Sequence, residues 1–102
     1  MRIGLNLPVM VPGLDRQTIL EWSRRIDTGP FSSLCAGERV NFPKPEIVVT
    51  LSAAAAVTER VKIVPTVFVV PLHPPLLLAK RIATLDVLSG GRVVLGVGVG
   101  AR

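Results

Sequence analysis

The stretch "LDVLSGGRVVLGVGVG", Leu85 to Gly100, holds five of the nine glycines in the chain. Such glycines can cradle a phosphate, line a pocket for a flat molecule, or end a strand. Gly90 and Gly91 follow an apolar helical pattern that opens at Pro75 and runs to Leu88, with Leu78, Ile82 and Leu85 on one face. The doublet reads as the left-handed cap that stops this helix. Gly96, Gly98 and Gly100 alternate with Val97 and Val99, so glycines share one face of a strand and valines the other. A dinucleotide fingerprint reads G-x-G-x-x-G in a turn opening a helix. The G-x-G-x-G spacing here fits that poorly. Three bare positions on one strand face admit a pocket or a closely packed backbone.

Working outward, three more apolar, β-branched runs read as strands: Arg2–Leu7, Phe31–Ala36 and Val61–Val70, with Arg92–Val99 as the fourth. A first helix is expected from an Asp15 cap to about Ile26, with Ile19, Trp22 and Ile26 at helical spacing. A second opens with Pro45 in the first turn, followed by Glu46, and runs to about Thr58. Strands therefore recur about every thirty residues in a β-α-β-α-β-α-β order, which predicts an α/β parallel sheet with helical crossovers. A doubly wound open sheet and a (β/α)8 barrel both satisfy this order. Even spacing and short connections favour the barrel. Four strands are half of one, whose full length is about 250 residues. The 102 residues are accordingly expected to be one partial domain, the N-terminal portion of a TIM barrel.

Composition agrees. Apolar residues make up 49% of the chain, with no Tyr and one Trp, the aliphatic content of buried parallel strands. The most apolar run, Ile63 to Ala79, holds four prolines and a histidine, so no membrane span is expected. The N-terminus offers no secretory cleavage site, and the single Cys35 suits a reducing cytoplasm. The net charge of +5 is spread over single and paired basic residues without aromatic interleaving, which argues for solvated helix faces rather than nucleic-acid binding.

At this point "LAKRIATLDVLSGGRVVLGVGVG" (Leu78 to Gly100) resembles the luciferase-like monooxygenase family, flavin- and coenzyme F420-dependent oxidoreductases related to bacterial luciferase. "IGLNLP" (Ile3 to Pro8) looks like that family's first strand. "PEIVVTLSAAAAVTERVKIVPTVFVVPLHPP" (Pro45 to Pro75) looks like its second helix, third strand and following loop. The resemblance implies a TIM barrel and an oxidoreductase that transfers hydride or activates oxygen on a small organic substrate. Its cofactor is FMN or coenzyme F420, and the full-length protein is a homodimer. The "AGERV…PEIVVTLSAAAAVTERV" stretch looks like the deazaflavin branch. A catalytically incomplete fragment acting only by association is the alternative.

The resemblance also assigns residues. It implies a non-proline cis peptide at Thr66–Val67, forming a bulge behind the cofactor ring, with Gly96, Gly98 and Gly100 making room at the fourth strand and Asn6 in contact with cofactor or substrate. Where the family commonly shows Asp-His after the second strand, this chain has Glu38 and Arg39. Glu38 can accept a proton or hydrogen bond; Arg39 cannot serve as a base at neutral pH but suits an anion. Ala101 stands where deazaflavin dehydrogenases of the family can carry an acidic catalytic residue. His73 is expected to be a hydrogen-bonded loop residue and Cys35 a small side chain in a strand. No metal site is implied.

Overall fold

The computed structural model describes residues 2–9, 13–38 and 46–99. Three parallel strands, β1 (Gly4–Asn6), β2 (Ser33–Ala36) and β3 (Lys62–Pro65), form a sheet in chain order, with Leu5 opposite Leu34 and Leu34 opposite Ile63. Two further short strands, β4 (Phe68–Val69) and β5 (Val97–Gly98), pair in parallel, and a bridge from Ile63 to Val93 runs the last segment alongside β3. The expected third strand is thus one run broken at Thr66–Val67, where the peptide bond is cis. The expected fourth strand is bonded regularly only at its far end.

Alternation sorts the faces. Leu34, Ala36, Ile63 and Pro65 are buried beneath the helices, while Asn6, Cys35 and Val64, paired in register, carry the less covered face. Helices α1 (Arg16–Thr28), α2 (Ile47–Ala56) and α3 (Pro75–Leu88) contribute Ile26, Ile47, Leu51, Ala54, Ala55, Leu78 and Leu85 to the core. Each fully buried Leu or Ile stabilises the fold by about 1.5–3 kcal/mol. Trp22, placed by spacing on the buried face of α1, remains 40% exposed. Among the described residues no helix is long and apolar enough to cross a membrane.

The helix ends are local chemistry. Asp15 Oδ1 accepts from Thr18 N at 2.9 Å, the expected cap. In α2 the cap is Glu46 itself, whose Oε1 accepts from Val49 N at 2.9 Å, so the helix starts two residues later than the sequence suggests, at Ile47; Pro45 lies outside the described residues. This helix stops at Ala56, with Val57 as its C-cap, and just beyond it Thr58 turns its hydroxyl back onto the Ala54 carbonyl at 2.9 Å. At the end of α3, Gly90 N bonds Val87 O and Gly91 N bonds Asp86 O, both glycines having φ above +70°. That is the double-bonded glycine cap read from the doublet.

Beneath the sheet, at the N-terminal ends of its strands, two arginines depart from the solvated-face expectation. Arg92 is buried. Its Nη1 donates to Thr58 Oγ1 and Val61 O, its Nη2 to Ala55 O and Thr58 O, and its Nε to Ser89 O. Arg60, although exposed, is tied to the carbonyls of Asp27, Gly29 and Phe31. The helical cations Arg16, Arg24, Arg25, Lys80 and Arg81 are exposed as expected.

Asp27 knits α1 to the approach of β3 by accepting from the backbone N–H groups of Glu59, Arg60 and Val61 at 2.8–3.0 Å. Burial pushes its carboxyl up, but those three donors and the Arg92 charge outweigh it and hold it below its ordinary value of 3.8. Asp27→Asn is therefore expected to destabilise the protein by about 1–3 kcal/mol at neutral pH. Since the folded value is the lower one, this stabilisation is complete above 3.8 and disappears as pH falls through the folded value. Urea midpoints of wild type and variant should converge on acidification to about pH 2; a gap that stays constant would contradict the assignment.

Candidate active site

At the C-terminal ends of the three parallel strands, residues remote in sequence converge on the segment Pro65–Val69. Its attachments come from both sides. Toward β2, Thr66 N donates to Ala36 O at 2.8 Å; toward β5, Phe68 N donates to Gly96 O at 2.8 Å. Thr66 Oγ1 donates to Asn6 Oδ1 at 3.3 Å, linking the end of β1.

Glycines set how closely these neighbours approach. A Cβ on Gly37 would lie 2.7 Å from Thr66 O, and one on Gly96 would lie 2.5 Å from Pro65 O. Real side chains do not tolerate such separations from backbone atoms. A Cβ on Gly98 would meet Val67 Cγ2 at 2.8 Å. Space freed by Gly96 and Gly98 is therefore occupied by the neighbouring strand and its bulge. Of the three alternating glycines, Gly100 lies outside the described residues, as do Arg39 and Ala101.

Glu38 follows Gly37 directly and reaches across the break between β3 and β4. Its Oε1 accepts from Val69 N at 2.8 Å, and both its oxygens lie 2.8 Å from His73 Nε2. Because a carboxylate only accepts, Nε2 is the protonated ring nitrogen in this contact. The two side chains are 8% and 9% exposed, and the His73 ring stands edge-on to buried Phe68 at 5.6 Å between centroids. His73 is thus the hydrogen-bonded loop residue expected, lying after the 3₁₀ turn Val70–Leu72. Its partner was not foreseen. No helical or strand spacing links positions 35 apart; the one available signal was a lone histidine in an apolar, proline-rich loop, which must find a polar partner if buried.

The surface left open consists of Asn6, Thr66 and Val67, all exposed, above buried Pro65 and Phe68. It combines a flat aliphatic contact, a hydroxyl and a carboxamide. Cys35 lies below on β2, half-buried, and burial pushes its thiol up against the opposing Ser33 hydroxyl, the opposite of an activated nucleophile.

Over residues 1–102 the chain matches the luciferase-like monooxygenase family. The chain belongs to that family. Among solved structures it is similar to the oxygenating constituent of 3,6-diketocamphane monooxygenase from Pseudomonas putida, a type II Baeyer-Villiger monooxygenase in complex with FMN. Identity is 30% and the TM-score 0.86, covering all of this chain and 30% of that one. It is also similar to the coenzyme F420-dependent tetrahydromethanopterin reductase of Methanopyrus kandleri, at 29% identity and TM-score 0.80, over 98% of this chain and 27% of that one. A third relative, 4-hydroxyprotoasukamycin monooxygenase of Streptomyces nodosus subsp. asukaensis, is 34% identical over 95 residues, 88% of this chain and 25% of that protein.

The chain spans less than a third of the length of these relatives. Its fold is the N-terminal β-α-β-α-β-α-β portion of a TIM barrel, and the doubly wound alternative falls. The open surface lies where such barrels place their sites, at the C-terminal ends of the strands.

Proposed function

We propose that residues 1–102 form the first part of a flavin- or deazaflavin-dependent oxidoreductase acting on a small organic molecule. The exposed Asn6–Thr66–Val67 surface at the C-terminal strand ends supports this most directly, because it joins an apolar contact to a hydroxyl and a carboxamide, the chemistry a planar heteroaromatic ring takes. FMN or coenzyme F420, when bound, supplies hydride transfer or oxygen activation. Val67 would give such a ring apolar contact, and the Asn6 carboxamide and Thr66 hydroxyl would be the groups to hydrogen-bond it. Pro65 and Phe68 close the floor against water. Gly96 and Gly98 act indirectly, letting the fourth strand close on the bulge.

The test is titration of the intact protein with FMN and, separately, with coenzyme F420, followed by the cofactor's own fluorescence. Saturable binding of either supports the reading, and binding of neither overturns it. A second reading, an association module without catalysis, is favoured by the apolar row Val94, Leu95, Val97 and Val99, which is 48–85% exposed. The intact mass in the source cell separates the two. A barrel-sized protein covers this row with its own chain, whereas a mass of 10.9 kDa leaves it for a partner.

A further inference from the structure

We propose that Glu38 is the positioning residue of this site: with His73 behind it, its carboxylate fixes where the Thr66–Val67 segment stands, and so where a bound ring rests. The inference deepens the cofactor reading above and rests on it.

The observation is a division of labour within one segment. Thr66 and Phe68 are held by ladder-type bonds from neighbouring backbone, Ala36 O and Gly96 O. Among the described residues no such carbonyl takes Val69 N; a side chain does, Glu38 Oε1 at 2.8 Å. The register of β2 with β3 ends at Ala36 and Pro65, and beyond it the Val69 N–H is taken by the Glu38 side chain. Glu38 spans that gap. Gly37 makes the reach possible, since any side chain there would push the Thr66 carbonyl away. His73 then holds the carboxylate from the far side, and its ring is oriented in turn by Phe68, the residue between Val67 and Val69. With 8% exposure, the Glu38 side chain is turned into the fold rather than toward the open surface, so it acts on the ring through Val69 and not by touching it.

The experiment compares wild type, Glu38→Ala, Glu38→Gln and His73→Phe in the intact protein, with two readouts. One is hydrogen exchange at the Val69 amide without cofactor, measured against Leu34 and Ile63 in the adjoining strands. The other is affinity for whichever of FMN or coenzyme F420 the wild type binds. Glu38→Ala is expected to accelerate exchange at Val69 selectively and to weaken binding by at least about tenfold. Glu38→Gln keeps an acceptor for Val69 and is expected to restore both readouts to within about threefold of wild type. His73→Phe keeps the ring's bulk but removes the Nε2–H donor, and should fall between them.

Unchanged Val69 exchange in Glu38→Ala overturns the proposal. So does a uniform rise in exchange across β2 and β3, which marks a residue that merely stabilises the fold. If Glu38→Ala does not fold, His73→Phe decides: wild-type exchange and affinity there overturn the His73 role, and an unrescued Glu38→Gln overturns the Glu38 role. Should the wild type bind neither cofactor, the functional reading fails while the exchange result still stands or falls alone.

Discussion

Arg92→Ala is expected to destabilise the protein by about 3–5 kcal/mol, a large share of a total stability of about 5–15 kcal/mol. The guanidinium carries five N–H groups, and all five have acceptors here: the carbonyls of Ser89, Ala55, Thr58 and Val61 and the Thr58 hydroxyl. Truncation leaves the carbonyls of Ser89, Thr58 and Val61 around a buried void without the donor they had, while Ala55 O keeps the Thr58 N–H at 3.4 Å. The effect thus comes from stranded acceptors rather than from a lost ion pair, since among the described residues no carboxylate bonds this side chain. Arg92→Lys separates charge from geometry. An ammonium keeps the charge but cannot fork between Thr58, Val61 and Ala55, so lysine should recover less than half of the loss. Urea unfolding of both variants checks this; a change below about 1 kcal/mol for alanine would mean the site collapses without penalty.

Gly96→Ala is expected to act at the other end of the barrel strands. The added Cβ would stand 2.5 Å from Pro65 O, backbone against backbone, with no flexible side chain to yield. Either β5 moves away, losing the 2.8 Å bond from Phe68 N to Gly96 O, or the bulge shifts toward the open surface. Overpacking of this kind destabilises by about 1–3 kcal/mol. Cofactor affinity should fall alongside, because the displaced segment is the bed on which the ring is proposed to lie. Gly90→Ala is the useful contrast. Nothing crowds its Cβ, so its penalty comes only from its left-handed φ of +73° and should leave cofactor binding unchanged. Thermal midpoints and titrations of the two variants would separate these causes; equal affinities for Gly96→Ala and wild type would refute the tight approach.

Both predictions rest on contacts that sequence spacing does not reveal. The apolar periodicity of α3, the Asp15 cap and the Gly90–Gly91 stop all depend on partners within five positions, and these were legible in the sequence. So was the β-α alternation, and with it the parallel sheet. The resemblance placed the cis peptide at the bond where the structure has it. What the chain's linear order hid were pairings across thirty to sixty residues: Arg92 with Ala55 to Val61, Asp27 with Glu59 to Val61, Glu38 with Val69 and His73, Asn6 with Thr66. In sequence Arg92 looks like any surface cation, and only the inward turn after the glycine cap brings it beneath the sheet. Likewise the alternating glycines declare a bare strand face, but not what fills it. The physical reason is one of range. Helix and turn propensities are settled by neighbours a few bonds away, whereas a buried polar group is settled by whichever distant acceptors the packed fold delivers to it.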